Sequence, residues 1–331
     1  MTVFQTSQYR ESYAQIFGRG KRFHTLEVPG TSKTPRAQVW LQSRGVVARR
    51  LEFWGQGIAD CGGANFENFE PNSQVARLLW QEIEKLARNG QGAHLTQIDA
   101  ASPLIFCGKE AGWTITDAET CPVLMFPSSF DEYVKSLGKN MREQIKRYPK
   151  RLEKQFRVEY ELAQSEAQVE IALNDLFRLH GKRWRARGQT GVLGLPSRQK
   201  FHRLVCQKFL EAGFLRLWTL RCDGQAACVL LSYFWDNKYW FFIGGFEPEL
   251  MRWSVGTCLF SRVFQCAIEE GAREFDFLRG AEEYKYRFGA IDRPYKNLSY
   301  FSPAPRGQLL KRRVALEDAF MARIHEKFGA N

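Results

Sequence analysis

Residues 275 to 289 read FDFLRGAEEYKYRFG, a buried-strand pattern that breaks at glycine and runs into a short basic, aromatic segment. Phe275, Phe277 and Leu278 suit a strand covered on both faces, yet Asp276 stands among them. A carboxylate inside a strand needs a partner, because an uncompensated buried charge is expensive. Lys285 and Arg287 follow within a few residues, interleaved with Tyr284, Tyr286 and Phe288. If residues 281–288 are helical, Tyr284 and Phe288 share a face and Lys285 lies on its flank. Two readings fit. Asp276 and a cation form a structural ion pair, or the segment is one wall of a reactive cleft.

The chain around it alternates strands and helices. Upstream, FLRLWTLR, QAACVLLSYFW and KYWFFIGGF read as three strands joined by turns at Asp223-Gly224 and Asp236-Asn237. A helix starts at Ser254 and keeps helical period through Ile268 to a stop at Gly271. FRVEYEL is a further strand; Ser165 with Gln168 caps a helix reaching about Arg187, and another helix runs from Ser197 to Ala212. KNLSYFS is a last strand, and residues 309–328 form a closing helix. The first half holds strands QVWLQS, VVARRLEFWG, AHLTQID and PVLMF, with a helix from Asn72 or Ser73 to Gly90. The motif S-F-D-E predicts a capping box at Ser129, with one helix continuing until Pro149, whose ring and missing N–H disturb it, and room for a second helical turn after it. Element order, not residue identity, repeats between the halves.

Composition narrows the function. A chain of 331 residues with 44% hydrophobic and 25% charged residues is an ordinary globular protein of about two domains. Its net charge of +12 calls for an anionic partner: nucleic acid, a phosphorylated cofactor, an anionic polymer or a membrane surface. The eight cysteines form no C-x-x-C pair and no ligand spacing with the five histidines, so they read as buried thiols in a reducing compartment, with no metal site expected. No signal peptide and no run of roughly 18 apolar residues is present, which places the protein in the cytoplasm.

Other stretches carry candidate chemistry. Gly244 and Gly245 at a strand end permit a bulge or a close approach, and Ser254, Val255, Gly256 and Thr257 open a helix whose N–H groups favour phosphate. The bland alternative is a glycine that ends a strand and a serine that caps a helix. His180 and Trp184 share an apolar helix face, where a histidine is more often core than catalyst. Arg178, Lys182, Arg183, Arg185 and Arg187 suit an anion or a solvated face. Lys139 to Lys154 holds seven Lys or Arg residues against Glu143 and Glu153, a strip able to track phosphates.

Taken together, H-x-x-x-W at His180 and Trp184, FH at Phe201 and His202, GFLRLWTL, FIGGFEPE, SVGTCLF and FDFLRGAEEYK resemble the CelD-like group of GNAT-fold acyltransferases, related to the FemABX transferases. The segment YKYRFG is similar to the F-K-x-x-F-G stretch found there. The likeness covers about residues 130 to 302; Ser254-Val255-Gly256 departs from the usual S-P-G. It implies an α+β fold of tandem GNAT-like domains, with mixed, mostly antiparallel sheets flanked by helices. The expected division is a degenerate GNAT-like domain at 1–150, an acyltransferase domain at 151–305 and a C-terminal helix at 306–331.

The resemblance also implies chemistry. An amine or hydroxyl would attack an acyl-CoA thioester, acetyl or longer, while the amides near Gly244, Gly245 and Phe246 hold the oxyanion. Ser254, Gly256 and Thr257 would take the pyrophosphate, and Lys285 and Arg287 the donor's phosphates. Tyr284 would protonate the leaving thiolate, Asp276 or Glu282 would accept the amine's proton, and His180 is a further catalytic candidate. Trp184, Arg183, Arg187 and Phe288 would meet substrate. Family context is cell-envelope or exopolysaccharide synthesis, with peripheral contact to an inner membrane. Two alternatives stand beside this reading: a FemX-type transferase using aminoacyl-tRNA, and a non-enzymatic nucleic-acid-binding protein supported by charge alone. DNA is not an expected partner.

Overall fold

The structure, a computed structural model, describes every residue except 31–35, 47, 68–69, 71–72, 186–187, 189–190 and 329–331; at 183 and 321–328 only the backbone is described. In chain order the elements are α1 (Ser7–Phe17), β1 (Lys21–Val28), β2 (Ala37–Arg44), β3 (Arg49–Phe53), β4 (Ala64–Phe66), α2 (Gln74–Gly90), β5 (Gln91–Asp99), α3 (Pro103–Glu110), β6 (Thr114–Asp117) and β7 (Cys121–Met125). There follow α4 (Phe130–Ser136), α5 (Lys139–Glu153), β8 (Val158–Leu162), α6 (Glu166–Arg185), α7 (Pro196–Glu211), β9 (Leu215–Cys222), β10 (Gln225–Trp235), β11 (Lys238–Phe246), α8 (Val255–Glu269), β12 (Glu274–Asp276), α9 (Glu283–Arg287), β13 (Ile291–Arg293), β14 (Tyr295–Phe301) and α10 (Pro305–Phe328).

The chain forms two compact units: Met1–Cys121 with Arg279–Glu283 and Asp292–Asn331, and Pro122–Leu278 with Tyr284–Ile291. The split therefore does not fall at one point near residue 150. The segment carrying β7, α4 and α5 lies with the second unit, and β14 and α10 lie with the first. The architecture is α+β, with a mostly antiparallel sheet in each unit.

In the first unit the strand order is β1-β2-β3-β5-β14-β6, with β4 added on β2. Only β3 and β5 are parallel in the described ladders of this sheet, joined through α2. That helix is specified locally. Ser73 caps it by accepting from Ala76 N at 3.2 Å, and Leu79, Ile83 and Ala87 repeat on its buried face. It ends at Gly90, but the left-handed residue that stops it is Gln91, at φ 85°. The sequence KNLSYFS supplies β14 to this sheet, antiparallel to β5 and β6. Glu317 of α10 meets Arg50 at 2.7 Å, tying that helix to β3.

In the second unit β7, β12, β11, β10, β9 and β8 are neighbours in that order. The hairpin turns expected after Arg221 and Trp235 are present, with Asp223, Gly224, Asp236 and Asn237 all at φ between 50° and 78°. Such paired positive φ values match the right-handed twist of the flanking strands. The described parallel pair is β11 with β12, joined through α8. Each unit thus repeats a strand–helix–parallel strand crossover, the structural form of the repeat in element order.

Two local expectations are corrected. The helix expected from Ser129 to Pro149 is two helices, because Leu137 and Gly138 are extended at ψ 151° and 150° and Leu137 turns into the core. Pro149 does not end α5, which continues to Glu153 and buries Leu152 completely. The cap at Ser129 forms, with Glu132 N donating to its Oγ at 3.2 Å, but the Glu132 carboxylate accepts from Ser128 Oγ instead of from the cap amide.

The core of the second unit is aromatic. Phe260, Phe264, Phe275, Phe277 and Phe288 pack at centroid distances of 4.9 to 6.4 Å, many of them edge to face. On the other face of the sheet His202 of α7 is 3% exposed against Phe242, and its Nδ1 has no hydrogen-bond partner among the described residues. Burial, helped by the nearby Arg198 and His180, pushes its pKa down to about 3. The unfolded chain protonates this ring near its ordinary 6.5 and the folded one only near 3, so stability is full above the upper value and falls as pH drops between them. The slope contributed is about 1.4 kcal/mol per pH unit. His202→Leu is expected to flatten the melting temperature against pH across that window. An unchanged slope would place the acid sensitivity elsewhere.

Candidate functional site

The site grows from the way β11 and β12 separate. Their ladder holds three residue pairs, Lys238 with Glu274, Tyr239 with Phe275 and Trp240 with Asp276, and ends there. Beyond Trp240, β11 continues to Phe246 along β10, while the chain after Asp276 turns away. A crevice at the carboxyl ends of parallel strands is a recurrent ligand position. β11 also carries a bulge at its far side. Leu231 pairs with Ile243 and Ser232 with Phe241, leaving Phe242 as the extra residue. A bulge bends the strand and re-aims its backbone groups.

The glycines that follow are explained by packing. A Cβ on Gly245 would lie 2.9 Å from the backbone nitrogen of His180 and 3.0 Å from Leu179 Cβ, so α6 crosses β11 there. A Cβ on Gly244 would lie 2.8 Å from Leu230 Cδ2. Close approach is thus realised at both glycines, by α6 at Gly245 and by the Leu230 side chain of β10 at Gly244. Phe246 closes the strand, half-buried.

α8 begins just past this strand with its N-terminus open. Ser254 sits in the left-handed region at φ 55° and makes no side-chain capping bond. The first intrahelical bond is Cys258 N to Ser254 O at 3.1 Å, which leaves the N–H groups of Val255, Gly256 and Thr257 without a backbone partner among the described residues. A Cβ on Gly256 would meet nothing within 4 Å. The glycine is therefore not needed for packing, and the backbone around it is approachable. Such a helix start favours an anion through its free N–H groups and its dipole.

The turn after β12 is built by two charged side chains. Asp276 is fully buried, and its Oδ1 accepts from Leu278 N at 2.8 Å. Lys285, 2% exposed, donates from Nζ to Leu278 O at 3.3 Å. Leu278 itself has φ 55°, a left-handed backbone that a branched residue adopts only when its surroundings hold it. Asp276 and Lys285 therefore hold the peptide groups on either side of Leu278. That geometry matches the structural reading of the pair better than a phosphate-binding Lys285 or a base at Asp276.

The remaining candidates are distributed as follows. Tyr284 is half-buried, its ring 5.8 Å from Phe260 and 6.2 Å from Phe277. Phe288 is 2% exposed inside the aromatic core, and its carbonyl accepts from Tyr133 Oη at 3.1 Å. Arg287 is exposed and donates to Gln144 Oε1 at 2.9 Å, beside a cleft of about 320 Å³ lined by Leu124, Leu137, Gly138 and Tyr286. His180 is 4% exposed, and its Nε2 accepts from Trp184 Nε1 at 2.8 Å, which fixes the proton of the neutral ring on Nδ1. Trp184 is half-buried beside it. Glu282 belongs to the first unit's 279–283 segment. The Arg183 side chain and Arg187 lie outside the described residues.

Sequence reasoning missed one cluster. Trp253, just before Ser254, carries the guanidinium of Arg151 at 4.6 Å and that of Arg252 at 5.5 Å from its ring centroid. Part of the basic run on α5 is thereby brought to the residue preceding the open helix start. The signal was available only as an Arg-Trp dipeptide beside a glycine-containing turn.

Comparisons with known proteins bear on the fold. Residues 139–286, which include the β11–α8 crossover, match the family model described as an acetyltransferase (GNAT) domain. The fold of the whole chain is similar to the crystal structure of FemX, with a TM-score of 0.70 at 11% identity over 93% of this chain and 94% of that one. It is also similar to L-PGS from Bacillus licheniformis, with a TM-score of 0.59 at 14% identity over 94% and 95%. The C-terminal domain of a putative lysylphosphatidylglycerol synthetase from Agrobacterium fabrum gives a TM-score of 0.58 at 14% identity over 94% and 93%. No curated protein matches the sequence.

Lys285→Ala separates the two roles of the clamp. Removing one of two buried charges at Leu278 is expected to cost about 3 kcal/mol or more and to lower the melting temperature. An unchanged melt with weakened binding of an acyl donor would return Lys285 to the donor's phosphates.

Proposed function

We propose that the chain is an N-acyltransferase that moves an acyl group from a coenzyme A thioester to an amine or hydroxyl acceptor. The observation that carries this reading is the open start of α8 beside the parting of β11 from β12. The N–H groups of Val255, Gly256 and Thr257 suit the donor's pyrophosphate, with Arg252 and Arg151 close by as cations. The bulged end of β11, from Phe242 through Gly244 and Gly245 to Phe246, offers backbone amides where the thioester carbonyl gains negative charge.

Attack by the acceptor forms the new carbon–nitrogen or carbon–oxygen bond and breaks the carbon–sulfur bond. Tyr284, placed on α9 over Phe277, is the phenol assigned to protonate the departing thiolate. Asp276 is engaged at Leu278, so the acceptor's proton is assigned to solvent; bringing the reactants together is the main contribution. The acceptor is assigned to the chemistry of the cell envelope or exopolysaccharide, a reading supported by the likeness to FemX and to lysylphosphatidylglycerol synthetase.

A second reading keeps the fold and changes the donor to aminoacyl-tRNA. The FemX likeness across 93% of the chain favours it, as does the exposed basic face of α5, where Lys139, Lys146, Lys150 and Lys154 follow one another. Thermal melting against acetyl-CoA, longer acyl-CoAs and free CoA at two salt concentrations distinguishes the donors. A coenzyme at 100 times its Kd stabilises by about 2.7 kcal/mol, whereas polynucleotide binding collapses with salt. No shift with any coenzyme form would move the assignment to aminoacyl-tRNA.

Gly256→Ala isolates the helix start. The added methyl meets no atom within 4 Å and replaces glycine by a better helix former, so the melting temperature is expected to hold or rise, by up to about 1 kcal/mol of stability. Donor binding is expected to weaken about tenfold or more as the phosphates lose close approach to the amides. Undiminished donor affinity in this variant would remove α8 from the site.

A further inference from the structure

The first unit holds a cation that the proposed acyl transfer does not use. Arg10 projects from α1 against two indoles, its guanidinium carbon 4.3 Å from the Trp40 centroid and 5.3 Å from that of Trp54. Phe23 stacks on Trp54 at 4.1 Å, so the guanidinium lies beside an aromatic group of three rings. Hydrogen bonds fix both ends of the residue. Arg10 Nε donates to Gln5 O at 3.1 Å, and Arg10 O accepts from Trp54 Nε1 at 3.2 Å.

What the guanidinium lacks is an anion. Among the described residues no carboxylate lies within ion-pair distance of it, and its two terminal nitrogens have no hydrogen-bond partner. Burial lowers its pKa, and the charge of Glu11, which is exposed, opposes that only in part. Other arginines of this unit are placed differently: Arg50 pairs with Glu52 and Glu317, and Arg279 donates to Asp60 at 2.9 and 2.7 Å. A half-buried cation gives up part of its hydration, a cost that a counter-charge offsets. Beside Arg10 is a small cavity of about 10 Å³, lined also by Gln5, Gln56, Gly62, Gly63 and Thr96. That is room for about one water-sized group.

We propose that the first unit binds a ligand through one oxyanion group, a carboxylate or a phosphate, seated on the terminal nitrogens of Arg10. Nε is held by Gln5 O and the indoles pack against the guanidinium, which leaves the two terminal nitrogens to grip two oxygens at once. The small cavity has room for one oxygen of that group and leaves the rest of the ligand outside. This assignment stands independently of the acyl donor, because every residue in it belongs to the first unit.

The test titrates the full chain with sodium acetate and, separately, sodium phosphate, with sodium chloride as the ionic-strength control. Tryptophan fluorescence and melting temperature are the readouts, since Trp40 and Trp54 flank the group. A saturable response to one or both oxyanions is expected, with the stronger arm naming the chemistry. It should persist in Gly256→Ala, which alters the other anion-binding candidate, and weaken about tenfold in Arg10→Gln. Arg10→Lys keeps the charge and loses the fork, so it decides the matter if the glutamine variant does not fold; weakened binding is the expected result. Responses no larger than chloride's, or equal affinities in wild type and the folded Arg10 variants, would overturn the proposal.

Discussion

The functional geometry of the second unit depends on how briefly two parallel strands stay together. β11 and β12 share three residue pairs, and the register ends at Trp240 and Asp276. Strands that remained paired to their ends would satisfy each other's amides and leave nothing for a ligand. Their separation frees one edge of β11 from Phe241 onward, where the bulge at Phe242 has already redirected the backbone. α8, which must cross from one strand to the other, starts at the same end. The crevice and the open helix terminus are therefore two consequences of one topological step.

Holding the strands apart requires the chain after Asp276 to turn at once. Leu278 makes that turn in a left-handed conformation, and the two charges that fix it come from opposite directions in sequence. Asp276 reaches forward to the Leu278 amide and Lys285 reaches back to its carbonyl. Around them, Phe275 and Phe277 anchor the strand in a ring of aromatics. The polar clamp sets direction and the apolar packing supplies the adhesion. This resolves why a carboxylate and a lysine stand inside an otherwise apolar segment.

Much of this was legible in the sequence, and the limits have physical causes. Hairpin turns were readable because Asp-Gly and Asp-Asn tolerate positive φ, and α8 was readable because its apolar residues keep helical period. The break between α4 and α5 was not, since nothing local distinguishes Leu137 turning inward from a residue of a continuous helix. Pro149 was overread because burial of Leu152 outweighs a missing hydrogen bond. The placement of β14 beside β5 is a long-range pairing that no local pattern encodes. Among the site residues, Ser254, Gly256 and Thr257 lie where a helix start should be. Lys285, Phe288 and His180 are buried, and burial of individual side chains is decided by tertiary packing rather than by spacing.

The two crossover helices then separate the roles of the units. α2 and α8 each follow a strand and return to a parallel neighbour, and each begins after a serine. Ser73 turns its hydroxyl onto its own helix and satisfies Ala76 N, whereas Ser254 takes a left-handed backbone and leaves the first turn unbonded. A self-capped helix gains stability and loses the ability to receive a phosphate; an uncapped one makes the opposite exchange. A degenerate first copy and a working second copy of one fold would differ in this way. In the first unit the unmatched positive charge resides instead at Arg10, on an element outside the crossover. Under the two proposals the units would carry different anion chemistries: backbone amides at a helix start in one, and a guanidinium packed on indoles in the other.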